Sequence, residues 1–154
     1  MRKSGFSLES LPEVAVRWCA ELGLGVSARA ESSGDEELFP NRLVLEGPDT
    51  QWLMANKGQA LDALQFLLQE SQGDREEGRL VHLDVQSFRL FRLKELKAMA
   101  AMAAKKAREF GSHTFSSLSP RERRWVHMVI AREPDLASES EGTGTFKTLK
   151  VTRK

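Results

Sequence analysis

The stretch at residues 119–127, SPRERRWVH, combines residue types and a spacing that suit the binding of an anionic ligand. Arg123 and His127 lie four positions apart, with Arg121 and Arg124 beside them. On a helix, side chains at i and i+4 share one face. A guanidinium and an imidazole side by side, with further arginines around the turn, suit a phosphate or a stacked base better than a hydrophobic core. The alternative is a surface arginine and a buried histidine, with the residues between them packed beneath.

A second candidate is the tetrapeptide Asn56, Lys57, Gly58 and Gln59, which we expect between a strand and an amphipathic helix that starts near Gly58. A glycine there lets a nucleic-acid backbone approach the first turn of the helix, where free amides and the helix dipole favour phosphate. Lys57 adds a point charge. The GXXG loop of KH domains has this geometry. The alternative is a simple turn before a helix.

A third candidate is SESEG at residues 138–142. Ser140 could donate to a phosphate or shape the following turn, and we expect Glu141 to orient an arginine. Asp84, Glu139 and Glu141 are the carboxylates that could be assembled into a catalytic group, and their spacing does not support one. The sequence therefore predicts a protein that is not an enzyme.

Charge is distributed unevenly along the 154 residues, although the net charge is only +1. Residues 1–87 carry 8 Lys+Arg and 15 Asp+Glu, a net of −7, whereas residues 88–133 carry 11 and 4, a net of +7. Residues 134–154 carry 4 and 3, a net of +1. Such asymmetry predicts a basic working surface in the second half. The alternative is a solvated helix rich in lysine.

Residue usage predicts no metal or cofactor. Cys19 is the single cysteine, and His82, His113 and His127 lack metal-ligand spacing. The N-terminus has no apolar segment of signal-peptide type, and the longest apolar run, residues 98–104, is too short to span a bilayer. We therefore expect a cytoplasmic protein with no membrane insertion.

The patterning of the first half predicts helix, strand, strand, helix and strand after a flexible leader at residues 1–8. Ser10 and Glu13 form a capping box for the first helix, and alternation or helical periodicity marks the other elements. The predicted elements are a helix ending near Gly23, a strand at 26–30, a loop at 32–37 (SSGDEE), a strand at 42–46, a helix from Gly58 and a strand at 80–85.

The second half predicts a long helix at residues 88–110, ended by Gly111. Ser119 followed by Pro120 predicts an N-cap and first position of another helix, which runs to about Arg132. A hairpin is expected from residues 136–140 and 146–152, around a glycine-rich turn.

In this order, the motifs resemble the bacterial Jag family, which joins a KH domain to a domain named for its R-x-x-x-H motif, the RxxxH domain. The matching segments are residues 45–47, 57–68, 83–85, 88–92, 119–127 and 138–142. The resemblance implies an α+β chain of two small α/β sandwiches in tandem. A KH-like domain at 9–87, with helices on a three-stranded sheet, is joined by the long helix to an RxxxH domain at 88–154.

The resemblance also implies a protein that binds single-stranded RNA, with single-stranded DNA as the alternative ligand. Its members are associated with cell elongation, division or sporulation, and the implied partner is a small KH-only protein or a second copy. Arg123 and His127 carry the RxxxH signature. Ala55 replaces the first glycine of the KH loop, where its Cβ disfavours positive φ. The alternative function is therefore a protein-interaction adaptor with a degenerate KH loop.

Overall fold

The computed structural model describes residues 11–35, 38–71, 81–144 and 147–154. The chain divides into two compact units, residues 1–90 and 91–154. Four helices and two three-stranded sheets are present in the described ranges, which confirms the prediction of an α+β chain. The elements are α1 (Leu11–Glu21), β1 (Ser27–Asp35), β2 (Phe39–Glu46), α2 (Thr50–Ser71), β3 (Val81–Val85), α3 (Phe88–Phe110), β4 (Ser112–Phe115), α4 (Pro120–Ile130), β5 (Leu136–Glu141) and β6 (Thr148–Arg153).

The sheet of the first unit has the order β1-β2-β3. β1 pairs antiparallel with β2, and β2 pairs parallel with β3. A parallel pair needs a crossover connection, and α2 lies in that connection. The apolar faces of α1, α2 and the strands form one core, which includes Leu11, Cys19, Leu43, Leu61 and Leu83.

A buried polar network joins the strands of the first unit to its helices. The Gln65 side chain donates to the Val81 carbonyl (3.1 Å) and accepts from the Leu83 amide (2.9 Å), so it extends the hydrogen bonding of β3. Arg89 donates to Gln65 Oε1 (2.8 Å) and pairs with Asp62. These bonds fix α2 and the start of α3 against the sheet.

The second unit has an antiparallel sheet of order β4-β6-β5. Phe115, Leu149 and Val151 are buried on one face of it, and the apolar positions of α3 and α4 are also buried. The fully buried positions of α3 are Leu93, Leu96, Ala100, Ala103 and Ala107. This spacing gives the helix a narrow stripe of small and aliphatic side chains, as expected of one face of an amphipathic helix.

Several predicted boundaries are wrong. The segment SSGDEE was expected to be a loop, yet β1 continues to Asp35 through a register shift between Ser32 and Asp35, with Gly34 at φ +77°. A bulge accommodates such an extra residue, and glycine adopts its positive φ without strain. β4 was not predicted because a strand of four residues has too little alternation to be distinguished from a loop. The leader and Ser10 lie outside the described residues.

Candidate functional site

The α4 helix positions the candidate residues of the second unit, and its N-terminus is fixed by a capping box. The Ser119 hydroxyl accepts from the Glu122 amide (3.3 Å), and the Ser119 amide donates to the Glu122 carboxylate (2.8 Å). Arg92 of α3 donates to the same carboxylate (2.6 Å). The first turn of α4 is therefore tied both to its own cap and to α3.

His127, one turn further along α4, is held between two serines of β5. Its Nδ1 lies 2.7 Å from Ser138 Oγ, and its Nε2 lies 2.9 Å from Ser140 Oγ. Alternate residues of a strand point to the same face, so the pattern S-x-S presents both hydroxyls to one helix. The structure thus brings together His127 and Ser140, which the sequence singled out, and adds Ser138, which it did not. The i, i+2 spacing of the serines was the available signal.

The His127 ring is half-buried, and two effects lower its pKa below the ordinary value of 6.5: burial first, then the positive charge of Arg123. At neutral pH the imidazole is therefore uncharged, with one nitrogen donating and the other accepting. It follows that one serine hydroxyl accepts from the ring and the other donates to it. The serine that accepts retains its own O–H as a donor to another group.

Arg123 is buried, with 7% of its surface exposed. Its guanidinium donates to the carbonyls of Leu118 (3.1 Å) and Lys147 (3.3 Å), which belong to the segments before α4 and before β6. Of the two alternatives for the pair, neither matches in full: here the arginine is buried and the histidine is half-buried. Arg123 therefore joins two segments of the backbone and acts on His127 through its charge.

The other arginines of α4 differ in exposure. Arg124 is exposed, whereas Arg121 is half-buried, with its guanidinium 5.9 Å from the centre of the Trp125 ring. That ring is 4% exposed, so it packs and offers no stacking face to a base. Arg124 lies three residues from His127 and shares its side of the helix. It is the exposed cation of α4 next to the histidine and the serines.

Glu141 does not orient an arginine, contrary to expectation. The carboxylate is exposed, and within the described ranges it forms no ion pair. Its place in β5 explains this, because strand alternation puts Glu139 and Glu141 on the face opposite Ser138 and Ser140.

The loop at residues 55–58 lies in the first unit, inside α2. It was expected to follow a strand, but it separates two helical segments at residues 50–54 and 59–71. Asn56, Lys57 and Gly58 have φ of 52°, 60° and 77°, a left-handed run that turns the chain between the segments. Ala55 has φ −56° and ψ 151°, an extended conformation that any residue adopts. The expected conflict between alanine and positive φ is therefore absent at position 55.

Gly58 is required by both its conformation and its surroundings. A Cβ at this position would lie 3.1 Å from Phe88 Cε1, and the φ of +77° disfavours any side chain. Asn56, Lys57 and Gln59 are exposed around it. The loop thus presents backbone and one lysine to solvent, and its glycine packs against the first residue of α3.

Two searches of the described residues gave negative results. No group of three or more His, Cys, Asp or Glu side chains there could hold a metal ion. No helix in the described ranges has the length and apolar character needed to cross a membrane.

Comparison with known families gives one finding. Residues 94–153 match the family model of the RxxxH domain, a domain of single-stranded nucleic-acid binding named for an arginine and a histidine with three residues between them. The matched range contains Arg123, His127, Ser138 and Ser140, and covers nearly all of the second unit. No curated protein matches the chain.

Proposed function

We propose that the protein binds single-stranded nucleic acid, with RNA as its ligand, and that it does so without catalysing a reaction. One observation carries the proposal: the RxxxH domain matched at residues 94–153 holds its histidine, His127, between two serine hydroxyls, with the exposed Arg124 beside it. This group of four residues, Arg124, His127, Ser138 and Ser140, is called the α4–β5 cluster below.

The α4–β5 cluster has the chemistry to bind a phosphate group. A serine that accepts from the imidazole can donate its own proton to a phosphate oxygen, and the ring fixes the direction of that hydroxyl. Arg124 adds a guanidinium, which suits the planar pairs of oxygens on a phosphate. Residues 91–154 carry 14 Lys+Arg and 7 Asp+Glu, so the field of the whole unit attracts a polyanion.

The first unit adds a KH-like contact in this proposal. The support is its order of helix, two strands, two helical segments separated by a tight loop, and a third strand, together with the position of the loop. KH domains hold the backbone of about four nucleotides with their GXXG loop. The extended Ala55 and the left-handed Gly58 leave the first turn of the 59–71 segment accessible in the same way.

The cellular role follows from the resemblance to the Jag family alone. We place the protein in the bacterial cytoplasm, in post-transcriptional regulation linked to cell elongation, division or sporulation. A small KH-only protein or a second copy of the chain is the partner in this proposal.

A second candidate function is a protein-interaction adaptor, in which the first unit docks a partner instead of RNA. The exposed side chains of Phe66 and Leu67 on α2 favour it, with 60% and 55% of their surface exposed. The acidic composition of residues 1–87 supports the same view.

Fluorescence anisotropy with a labelled single-stranded RNA of about 12 nucleotides tests the proposal, because such a length spans a typical single-strand site. The double variant S138A/S140A removes both hydroxyls, and S112A, at an exposed serine of β4, is its matched control. We expect the double variant to bind about tenfold more weakly, as for a lost hydrogen bond to a charged group, and S112A to bind like the wild type. Equal affinities for all three proteins would contradict the site assignment.

The same titration with single-stranded DNA and with duplex RNA of matched sequence defines the ligand. Preference for RNA over DNA requires a contact to the 2′-hydroxyl, and weak duplex binding follows from paired bases. Tighter binding of the duplex than of either single strand would overturn the proposed ligand class.

A further inference from the structure

Trp52 differs from the other tryptophans of the chain in its exposure. The Trp52 side chain is 62% exposed, whereas Trp125 is 4% exposed and Trp18 is packed against the core of the first unit. Tryptophan carries a large apolar surface that folding normally removes from water. An indole left in solvent beside a candidate binding loop therefore requires a reason.

The helical segment that carries Trp52 is firmly anchored, so the exposure does not come from a loose element. Thr50 is buried and its hydroxyl donates to the Gly47 carbonyl (3.0 Å), and the Trp52 amide donates to the Asp49 carbonyl (3.1 Å). Leu53 is 3% exposed and belongs to the core. Neighbouring residues of a helix lie about 100° apart around its axis, so burial of Leu53 directs Trp52 to solvent.

Trp52 is also close to the loop at residues 55–58. Ala55 follows it by three positions, about one turn or 4.5 Å along the helix axis. Asn56 and Lys57 are exposed on the loop that follows. A strand whose phosphates lie at this loop would carry its bases within reach of the indole.

The charge of the first unit favours a contact that does not depend on charge. Residues 1–90 carry 9 Lys+Arg and 15 Asp+Glu, so the unit as a whole repels a polyanion. Stacking of a base on an aromatic ring stabilises a complex through π-faces that every base has. It needs no basic surface.

We infer that Trp52 is a base-stacking residue, on which an unpaired base of single-stranded RNA lies while the loop at 55–58 contacts the adjoining backbone. The inference rests on the proposed function, because it requires that the protein binds single-stranded nucleic acid. It adds a specific contact in the first unit, and it predicts that this contact does not discriminate strongly among bases.

The full chain supplies its own probe, since an exposed indole that stacks on a base loses fluorescence. The experiment titrates wild type, W52F and W52L with an oligouridine of about 12 nucleotides, a length within the range of single-strand sites. Anisotropy of the labelled RNA gives the affinity, and tryptophan emission gives the stacking signal. W52F keeps an aromatic face, whereas W52L keeps an apolar side chain without one. A second titration uses an abasic oligomer of the same length, which has the backbone but no bases.

We expect wild-type emission to be quenched by the oligouridine and W52F to keep most of the affinity while losing most of the quenching. W52L should bind the oligouridine about tenfold more weakly, the loss expected for one base–aromatic stack. All three proteins should bind the abasic oligomer equally, with no quenching.

Three results would overturn the inference. Equal affinity of W52L and wild type for the oligouridine, with quenching that persists in W52F, would leave the proposed function standing and remove Trp52 from the site. Unchanged RNA affinity with conversion of a dimer to a monomer in W52L, measured by light scattering, would identify Trp52 as a contact between copies. No binding of any single strand by the wild type would remove the proposed function as well.

Discussion

The two units present their candidate binding residues by different physical means. The first is acidic, with a net charge of −6 over residues 1–90, and its candidate site is backbone: a left-handed loop between two helical segments. The second is basic, with a net charge of +7, and its candidate site is made of side chains that a helix and a strand hold together. The comparison suggests that attraction of the polyanion belongs to the second unit, and that the first contributes contacts that need little charge.

The largest expected effect concerns how the second unit is held together. Replacing Arg123 with alanine removes the donor to the carbonyls of Leu118 and Lys147 and leaves both without that partner in a buried place. We expect a loss of about 3 kcal/mol in the free energy of unfolding, the cost of breaking charged, buried hydrogen bonds. Urea denaturation of R123A measures it.

The matched control for R123A is R124A on the same helix. Since Arg124 is exposed, its removal should change the free energy of unfolding by no more than about 0.5 kcal/mol. If R123A unfolds at the same urea concentration as R124A, the buried arginine has no structural role, and weaker RNA binding by R123A would then report a direct contact.

The corresponding test in the first unit is Gly58→Ala. The new Cβ meets Phe88 at 3.1 Å with φ at +77°, so we expect a loss of about 1–2 kcal/mol in the free energy of unfolding. Ala55→Gly is the control, because φ at position 55 is −56° and glycine only adds freedom to the unfolded chain, worth about 0.5–1 kcal/mol. A larger loss for A55G than for G58A would show that the left-handed run is placed wrongly.

A55G also tests whether the loop needs a second glycine to bind RNA. Because the backbone at position 55 is already extended, we expect the RNA affinity of A55G to stay close to that of the wild type. A marked gain in affinity, measured by anisotropy, would show that the Ala55 side chain obstructs RNA at the loop.

A smaller effect should appear on acidification. Burial and Arg123 lower the pKa of His127 in the folded protein, so the unfolded chain takes up the proton more readily. The stability contributed by the neutral ring is present in full above pH 6.5 and is lost as the pH falls through the folded-state pKa. His113 acts in the same direction, because burial and then Lys106 lower its pKa. Urea denaturation at about pH 7.5 and about pH 5.5 should show a smaller acid loss in H127Q than in the wild type.

H113Q gives the matched comparison for H127Q. Each variant should remove only its own share of the acid loss, so the double variant should show the least dependence on pH. An acid loss in H127Q equal to that of the wild type would mean that His127 is not held in the neutral form.

Sequence patterning predicted the elements whose signals are local and long. Helix α3 has the predicted bounds because its apolar stripe runs over about six turns and ends at Gly111, and the cap at Ser119 was recognisable from the following Pro120. The helical segment at residues 50–54 was not predicted, because it is little more than one turn and has no full period to detect.

Within the site, the sequence indicated which residues matter but not how they are used. The spacing of Arg123 and His127 predicted a shared helix face, yet burial of the guanidinium depends on two backbone carbonyls outside the helix, which no local pattern encodes. The partnership of His127 with Ser138 likewise depends on how β5 packs against α4. Local pattern therefore indicated the faces, and tertiary packing decided which side chains on them reach solvent.

The salt dependence of RNA binding by R124A and R17A tests the central claim most directly, since both arginines are exposed and one lies in each unit. For a single strand, the slope of log affinity against log salt is about −0.7 for each phosphate neutralised. We predict that R124A has a slope less negative by about 0.7 than the wild type, and that R17A keeps the wild-type slope. An unchanged slope in R124A, or an equal change in R17A, would contradict the assignment of the electrostatic site to the second unit.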